Sequence, residues 1–377
     1  MSGSTTLRGI DRSFGLDLVR AIAICIVLHT HSFSYFDTMT TRSNWQLPVP
    51  MDGVTLFFVL SGFLIGRILF TAMAQGRLHT PMDLLSFWER RWWRTLPGYF
   101  LMLGVLVFTF LVADQELPAD LWQYVLFLQN IAWPHPGFFG EAWSLSVEEW
   151  FYVAMPVALI IVARSPERIR ATLSLMMMAG FLLTPILLRH MMFDPAVPIN
   201  YNKLVVYRFD TLMIGVAGAW LAVHVPGTWS RYAKPMLISG LAIVIGIKVH
   251  DVAFGHSAWF TKVALEPASA LGALLCIPFL SAWNPDGAVR PRRVITWIAT
   301  ISYSMYLVNS SFVQWSVIPQ LPGWLKGLPQ ETWLRSLIPL TVFWALSLLF
   351  AHVLYHGFEK RMTAMRDKVW WRRKPDP

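Results

Sequence analysis

Charge is scarce in this chain. Of its 377 residues, 14% are Asp, Glu, Lys or Arg, against about 25% in an ordinary soluble domain. That is too little polar surface to cover a fold in water. Cysteine is nearly absent: Cys25 and Cys276 both lie inside apolar runs. They supply neither a disulfide framework nor a metal site, and packing is the role left to them. No GxSxG, HExxH, Walker A or CxxC pattern occurs, so the signatures of α/β-hydrolases, zinc peptidases, P-loop enzymes and thiol redox proteins are missing. A cleavable signal sequence is also lacking, and the first apolar run, preceded by Arg8 and Arg12, reads as an uncleaved anchor.

What the chain has is apolar length, with 55% hydrophobic residues and a mean hydropathy of +0.48. Ten stretches qualify as spans: 16–36, 53–73, 95–113, 150–163, 171–188, 207–225, 235–250, 264–283, 295–318 and 335–356. The short aromatic stretch 121–133 reads as a re-entrant or interfacial helix. With the N-terminus placed in the cytoplasm, inner segments hold 21 Lys and Arg and outer segments hold 7. Arg189 is among the outer ones, and the bias holds loop by loop. The expected fold class is therefore an all-α polytopic membrane protein of about ten transmembrane helices with both termini cytoplasmic. The net charge of +9 serves orientation and calls for no nucleic acid. Residues 1–360 read as one transmembrane domain and 361–377 as a basic-aromatic tail suited to inner-leaflet headgroups. No internal repeat and no soluble extramembrane domain is visible.

Ionisable residues inside spans are the first candidates for function. Arg20 and His31 are eleven residues apart. On a helix this returns to within about 20° of the same face, with a separation of about 16 Å along the axis. His29 falls on another face. Asp17 stands at i−3 to Arg20, so an interfacial ion pair explains that end equally well. Arg91 and Arg94, in FWERRWWRTLP, are i,i+3 neighbours just before the third span. They are placed to grip one polyanion or simply to mark the cytoplasmic side. In EAWSLSVEEWFY, Ser146 and Glu149 form a capping-box pattern, which leaves Glu148 as the carboxylate without a structural role. Arg208 and Asp210 stand at a span edge. Tyr303, Tyr306 and Asn309 repeat at i, i+3, i+6, either as interhelical glue or as the wall of a site for a hydroxylated ligand.

The stretches GLDLVRAIAICIVLHTHS (15–32), GVTLFFVLSGFLIGRIL (53–69), FWERRWWRTLPGYFL (87–101), EAWSLSVEEWFY (141–152), RFDTLMIG (208–215), ISYSMYLVN (301–309) and FEKRM (358–362), in that order, resemble the acyltransferase-3 family of integral membrane O-acyltransferases. The resemblance covers nearly the whole chain. It implies transfer of an acyl group, usually acetyl from acetyl-CoA, to a hydroxyl of a carbohydrate or glycolipid, with no metal. The setting it implies is the lipid bilayer, here a bacterial inner membrane. The family's span-one arginine and histidine fall on Arg20 and His31, its R-x-x-R motif on Arg91 and Arg94, and its SLSVE acid on Glu148. His31 is thereby implied as base or transient acyl carrier, with Glu148 orienting it and Arg20 holding donor or charge. Arg91 and Arg94 are implied as the acyl-CoA phosphate site, with Tyr303, Tyr306 and Asn309 on the acceptor. The chain departs from the pattern in reading EEWFY for the frequent EEQFY, and in Asn309 where members often carry histidine. Lacking an appended soluble domain, it resembles the stand-alone form. The rival readings are a transporter or flippase, which paired broken helices would favour, and a non-catalytic membrane scaffold.

Overall fold

The computed structural model describes residues 13–32, 51–196, 201–285, 289–320 and 334–366. Among these residues the regular structure is helical throughout and no strand forms. In chain order the α-helices are α1 Phe14–Ser32, α2 Gly53–Ala74, α3 Pro81–Val112, α4 Leu121–Val125, α5 Ala142–Ala163, α6 Glu167–Met191 and α7 Phe209–His224. They continue as α8 Pro226–Arg231, α9 Ala233–Phe254, α10 Leu265–Ala282, α11 Val289–Val308, α12 Leu334–Leu354 and α13 Lys360–Arg366. Single π-helical segments precede α10, continue α11 as Asn309–Val317, and join α12 to α13 as Tyr355–Glu359.

Eight helices among the described residues are long and apolar enough to cross a membrane, and α7 is a shorter apolar helix. The described part of each of the ten expected spans falls on helix, residues 33–36 of the first lying outside the described residues, and the chain is an all-α polytopic membrane protein. Its outward surface is apolar, as lipid requires: Ile161, Met176, Leu183, Ile238, Val252 and Phe254 all point away from the bundle. The polar groups turn inward.

Two expected boundaries move. The third helix begins at Pro81 rather than 95, because Thr80 and Asp83 close a capping box with proline at the first position. FWERRWWRTLP therefore lies inside a helix and turns Arg91 and Arg94 towards the bundle. The fifth helix begins at Ala142, so the Ser146–Glu149 pair is no cap. Ser146 bonds to Ala142 O and Gln129, while Glu149 accepts from Trp92 Nε1 and Thr95 Oγ1. Of 121–133 only the turn Leu121–Val125 is helical.

Glycines set the closest contacts. α2 and α7 run parallel with their backbones touching: a Cβ at Gly62 would stand 2.0 Å from Leu212 O, and one at Gly215 would stand 2.1 Å from Val59 O. In lipid, where apolar burial gains nothing over the solvent, such approach is what holds helices together. Buried ion pairs fasten the same region. Arg189, counted with the outer-loop charges, is fully buried and donates to Asp210 at 2.5 Å and to Val263 O. Arg208 donates to Glu266 and to Thr55 Oγ1 at 2.8 and 2.9 Å, tying α7 to α10 and α2. Arg208 and Asp210 are thus structural anchors in this fold.

Candidate active site

Two neighbouring spaces occupy the bundle. A cavity of about 130 Å3 lies between α1, α2, α3, α5 and α11, lined at one end by Arg20, Arg91, Arg94 and Glu148 and at the other by Val54, Phe57 and Tyr306. A vestibule of about 640 Å3 shares Arg20, Arg91, Arg94, Ser302 and Tyr303 with it. The vestibule widens towards Ser13 at the start of α1 and Lys360 and Arg366 on α13. Five cations and the single carboxylate of Glu359 stand among its lining residues. A strongly positive passage therefore runs from the end of the bundle that holds Ser13 and α13 towards its middle.

The three cavity arginines are not equivalent. Arg20 donates to Asp17 at 2.8 Å. Arg91 donates to Glu148 at 3.4 Å and, by a short bond, to the Tyr152 hydroxyl, with its guanidinium 4.1 Å from the Tyr152 ring centroid. The Tyr152 hydroxyl in turn bonds to Ser61. Arg94 makes no hydrogen bond or ion pair with any described residue and faces the open space. One guanidinium is locked into the wall, and its neighbour one turn on is left to meet an anion.

Glu148 faces Arg91, not His31. The carboxylate that acts electrostatically on His31 is Glu141, so the orienting role expected of Glu148 has no geometric basis. The span-nine stripe divides among three neighbours. Tyr303 donates to Thr95 O on α3 at 2.7 Å, and Tyr306 meets Ser144 of α5 at 2.5 Å and donates to Glu141 O. Asn309 reaches α1. The stripe is interhelical glue whose first two members also wall the cavity.

His31 stands in the last turn of α1, and its Nδ1 lies 2.5 Å from Asn309 Oδ1. Asn309 Nδ2 donates to Met305 O and Tyr306 O at 3.0 and 2.7 Å, which fixes the amide with its oxygen towards the imidazole. The network thereby assigns a proton to Nδ1. Gln314 Nε2 holds His31 O at 3.1 Å. Asn309 can fix the ring's orientation but cannot itself carry a proton to or from it. The lining of the cavity stops at Tyr306 and does not include His31.

Sequence reasoning passed over Glu141, Ser61 and Tyr152. Ser61 and Tyr152 lie in quoted motifs but look like ordinary helix residues. Glu141 carries a visible signal, as the first acid of EAWSLSVEEWFY, within a stretch from Asp114 to Glu149 that contains no Lys or Arg. Burial pushes its carboxyl up from the ordinary range, opposed by hydrogen bonds from Ser311. Among the described residues, no three His, Cys, Asp or Glu side chains gather as a metal would require.

The curated relatives are O-acetyltransferases by name. The chain is 28% identical over 329 positions to the putative peptidoglycan O-acetyltransferase YrhL of Bacillus subtilis, covering 78% of this chain and 47% of that protein. It is 24% identical over 392 positions to the peptidoglycan O-acetyltransferase OatA of Listeria monocytogenes, covering 96% and 59%. A third similarity, 28% over 159 positions, is to the O-acetyltransferase OatA of Staphylococcus aureus, covering 38% and 24%. The chain thus spans about half the length of the first two. No solved structure matches. The acyltransferase domain profile matches residues 13–355, nearly everything the bundle contains, and the chain belongs to that family.

Proposed function

We propose that this chain is a membrane O-acyltransferase that moves an acetyl group from acetyl-CoA to a hydroxyl of a cell-surface carbohydrate. The observation that carries the reading is the positive vestibule ending on an unpaired Arg94. It is a site for a polyanion at the end of the bundle that the positive-inside rule assigns to the cytoplasm, where acyl-CoA is made. The diphosphate and ribose phosphate lie against Arg94, Lys360 and Arg366. The pantetheine arm threads inward past Tyr303 towards Tyr306, and Arg20 stabilises charge along the way. Glu148 keeps Arg91 and Tyr152 in the wall rather than acting on the imidazole.

His31 stands eleven residues beyond Arg20 on α1, about 16 Å along the axis, at the outer end. Its Nε2 removes the proton of the acceptor hydroxyl as that oxygen attacks the thioester carbonyl. The carbonyl carbon–sulfur bond breaks, and the CoA thiolate leaves and takes up a proton. The products are an O-acetyl ester and free CoA. The relatives' names support a wall glycan as acceptor. Phe57 and Tyr306, with ring centroids 6.5 Å apart, stand between the two half-sites.

The test is transfer of label from radioactive acetyl-CoA to glycan strands by the purified chain in nanodiscs. His31→Ala, at wild-type protein level, is expected to abolish transfer while still binding CoA. Undiminished transfer by that variant would refute the proposal.

A further inference from the structure

We infer that Glu141 is a positioning residue for His31, acting through the turn that carries Asn309. The inference rests on the reading of His31 as the base. Glu141 is 2% exposed, immediately before α5. Its Oε1 accepts the backbone N–H groups of Ser310 and Ser311 at 2.8 and 2.7 Å. Its Oε2 takes the Ser311 hydroxyl in a short bond. That hydroxyl already accepts the Gly140 N–H at 2.8 Å, so its proton points at the carboxylate. The Glu141 carbonyl also accepts from Tyr306 at 3.1 Å. One residue of the loop into α5 therefore grips the end of α11 on both sides of Asn309.

This grip falls where α11 widens into the π-helical segment Asn309–Val317, a distortion frequent at functional sites. The widening leaves residue 309 without a rigid helical register of its own. Two anchors restore it: Asn309 Nδ2 on the carbonyls of Met305 and Tyr306, and Glu141 on the next two N–H groups. Between them they fix both the depth and the rotation of the Asn309 amide. Rotation matters chemically. A turned amide would present its NH2 to Nδ1, favour the other tautomer and put a proton on Nε2, where the base must be empty. The first acid of the EAWSLSVEEWFY segment thus serves the imidazole at second hand, and Asn309 is its intermediary.

The experiment compares Glu141→Gln, Ser311→Ala and His31→Ala in the full chain in nanodiscs, reading kcat, KM for acetyl-CoA and Tm. The Gln variant keeps size and one acceptor but loses the charge that holds three donors. It is expected to lower kcat by about 10²-fold, the cost of a misplaced reacting group, with KM for acetyl-CoA unchanged within about twofold. Ser311→Ala should lower kcat in the same sense and by less. A wild-type kcat in Glu141→Gln alongside an inactive His31→Ala overturns the inference and spares the reading beneath it. A parallel loss of Tm, kcat and donor affinity also overturns it, because Glu141 would then be only a structural fastener. If Glu141→Gln fails to fold, Ser311→Ala decides on the same split of kcat from KM. An active His31→Ala overturns the reading and this inference together.

Discussion

Replacing Arg94 and Arg91 by alanine, one at a time, separates two guanidiniums that look like a matched pair in the motif. Arg94 has no hydrogen-bond or ion-pair partner among the described residues and sits mostly among like charges, with Glu359 the one carboxylate lining the same space. Its removal should therefore leave Tm within about the ±0.5 kcal/mol expected of an unengaged side chain. The loss should appear in the donor instead. A charge-assisted hydrogen bond contributes about 1.5–3 kcal/mol, and each 1.4 kcal/mol is about tenfold, so KM for acetyl-CoA should rise by about 10- to 150-fold. Arg91→Ala should behave in the opposite way. It strips Glu148 and Tyr152 of their cation inside the bundle, and an uncompensated buried charge costs about 3–5 kcal/mol. With side-chain exposures of 20% and 15%, the lower end, about 3 kcal/mol, applies. Thermal unfolding followed by intrinsic tryptophan fluorescence should show Arg91→Ala clearly destabilised. The double variant Arg91→Ala/Glu148→Ala should recover part of the loss. Equal Tm for Arg91→Ala and Arg94→Ala, or an unchanged KM in Arg94→Ala, would refute the division of labour.

Gly62→Ala should be among the least tolerated small changes, because its new Cβ meets the Leu212 carbonyl at 2.0 Å and no side chain can move aside. A cost of at least about 1–3 kcal/mol should lower Tm or prevent accumulation. Gly104→Ala, with nothing within 4 Å of the new Cβ, should be neutral or slightly stabilising; equal Tm for the two variants would contradict the close α2–α7 contact. Phe57→Ala should widen the acyl range, since its ring closes the far end of a cavity of only about 130 Å3. Pocket discrimination of about 10- to 200-fold per methylene should shrink for butyryl-CoA against acetyl-CoA in a competition assay. An unchanged ratio would show that the ring does not size the acyl group.

Much of the fold is legible in the chain because lipid makes the rules strict. A backbone that must satisfy itself inside hydrocarbon has to be helical, so apolar length pointed to helices throughout, eight of which among the described residues are long and apolar enough to cross. Boundaries were harder where polar residues continue a helix into the bundle. The capping box at Thr80 and Asp83 starts α3 well before its apolar part, and α5 begins with EAWSLSVEE-like polarity that reads as loop. Arg20 and His31 both lie on α1, as the first apolar run implies. Arg91 and Arg94 were located, but their different fates depend on whether Glu148 and Tyr152 of α5 reach one and not the other. Glu148 was assigned to the wrong partner for the same reason: helical spacing within α5 says nothing about which arginine or histidine lies across from it.

The sequence by itself determined the all-α membrane class, the family motifs in their order and the helix that carries Arg20 and His31. These follow from composition, charge bias and the 3.6-residue repeat, all properties of local chain. Only the tertiary structure decided that Arg91 is a wall residue and Arg94 an open cation, that Asn309 fixes the His31 tautomer, and that Glu141 grips the turn beside it. Each of those depends on a contact between residues from about 57 to 278 positions apart in the chain. Helical periodicity tells which way a side chain points and not what it meets.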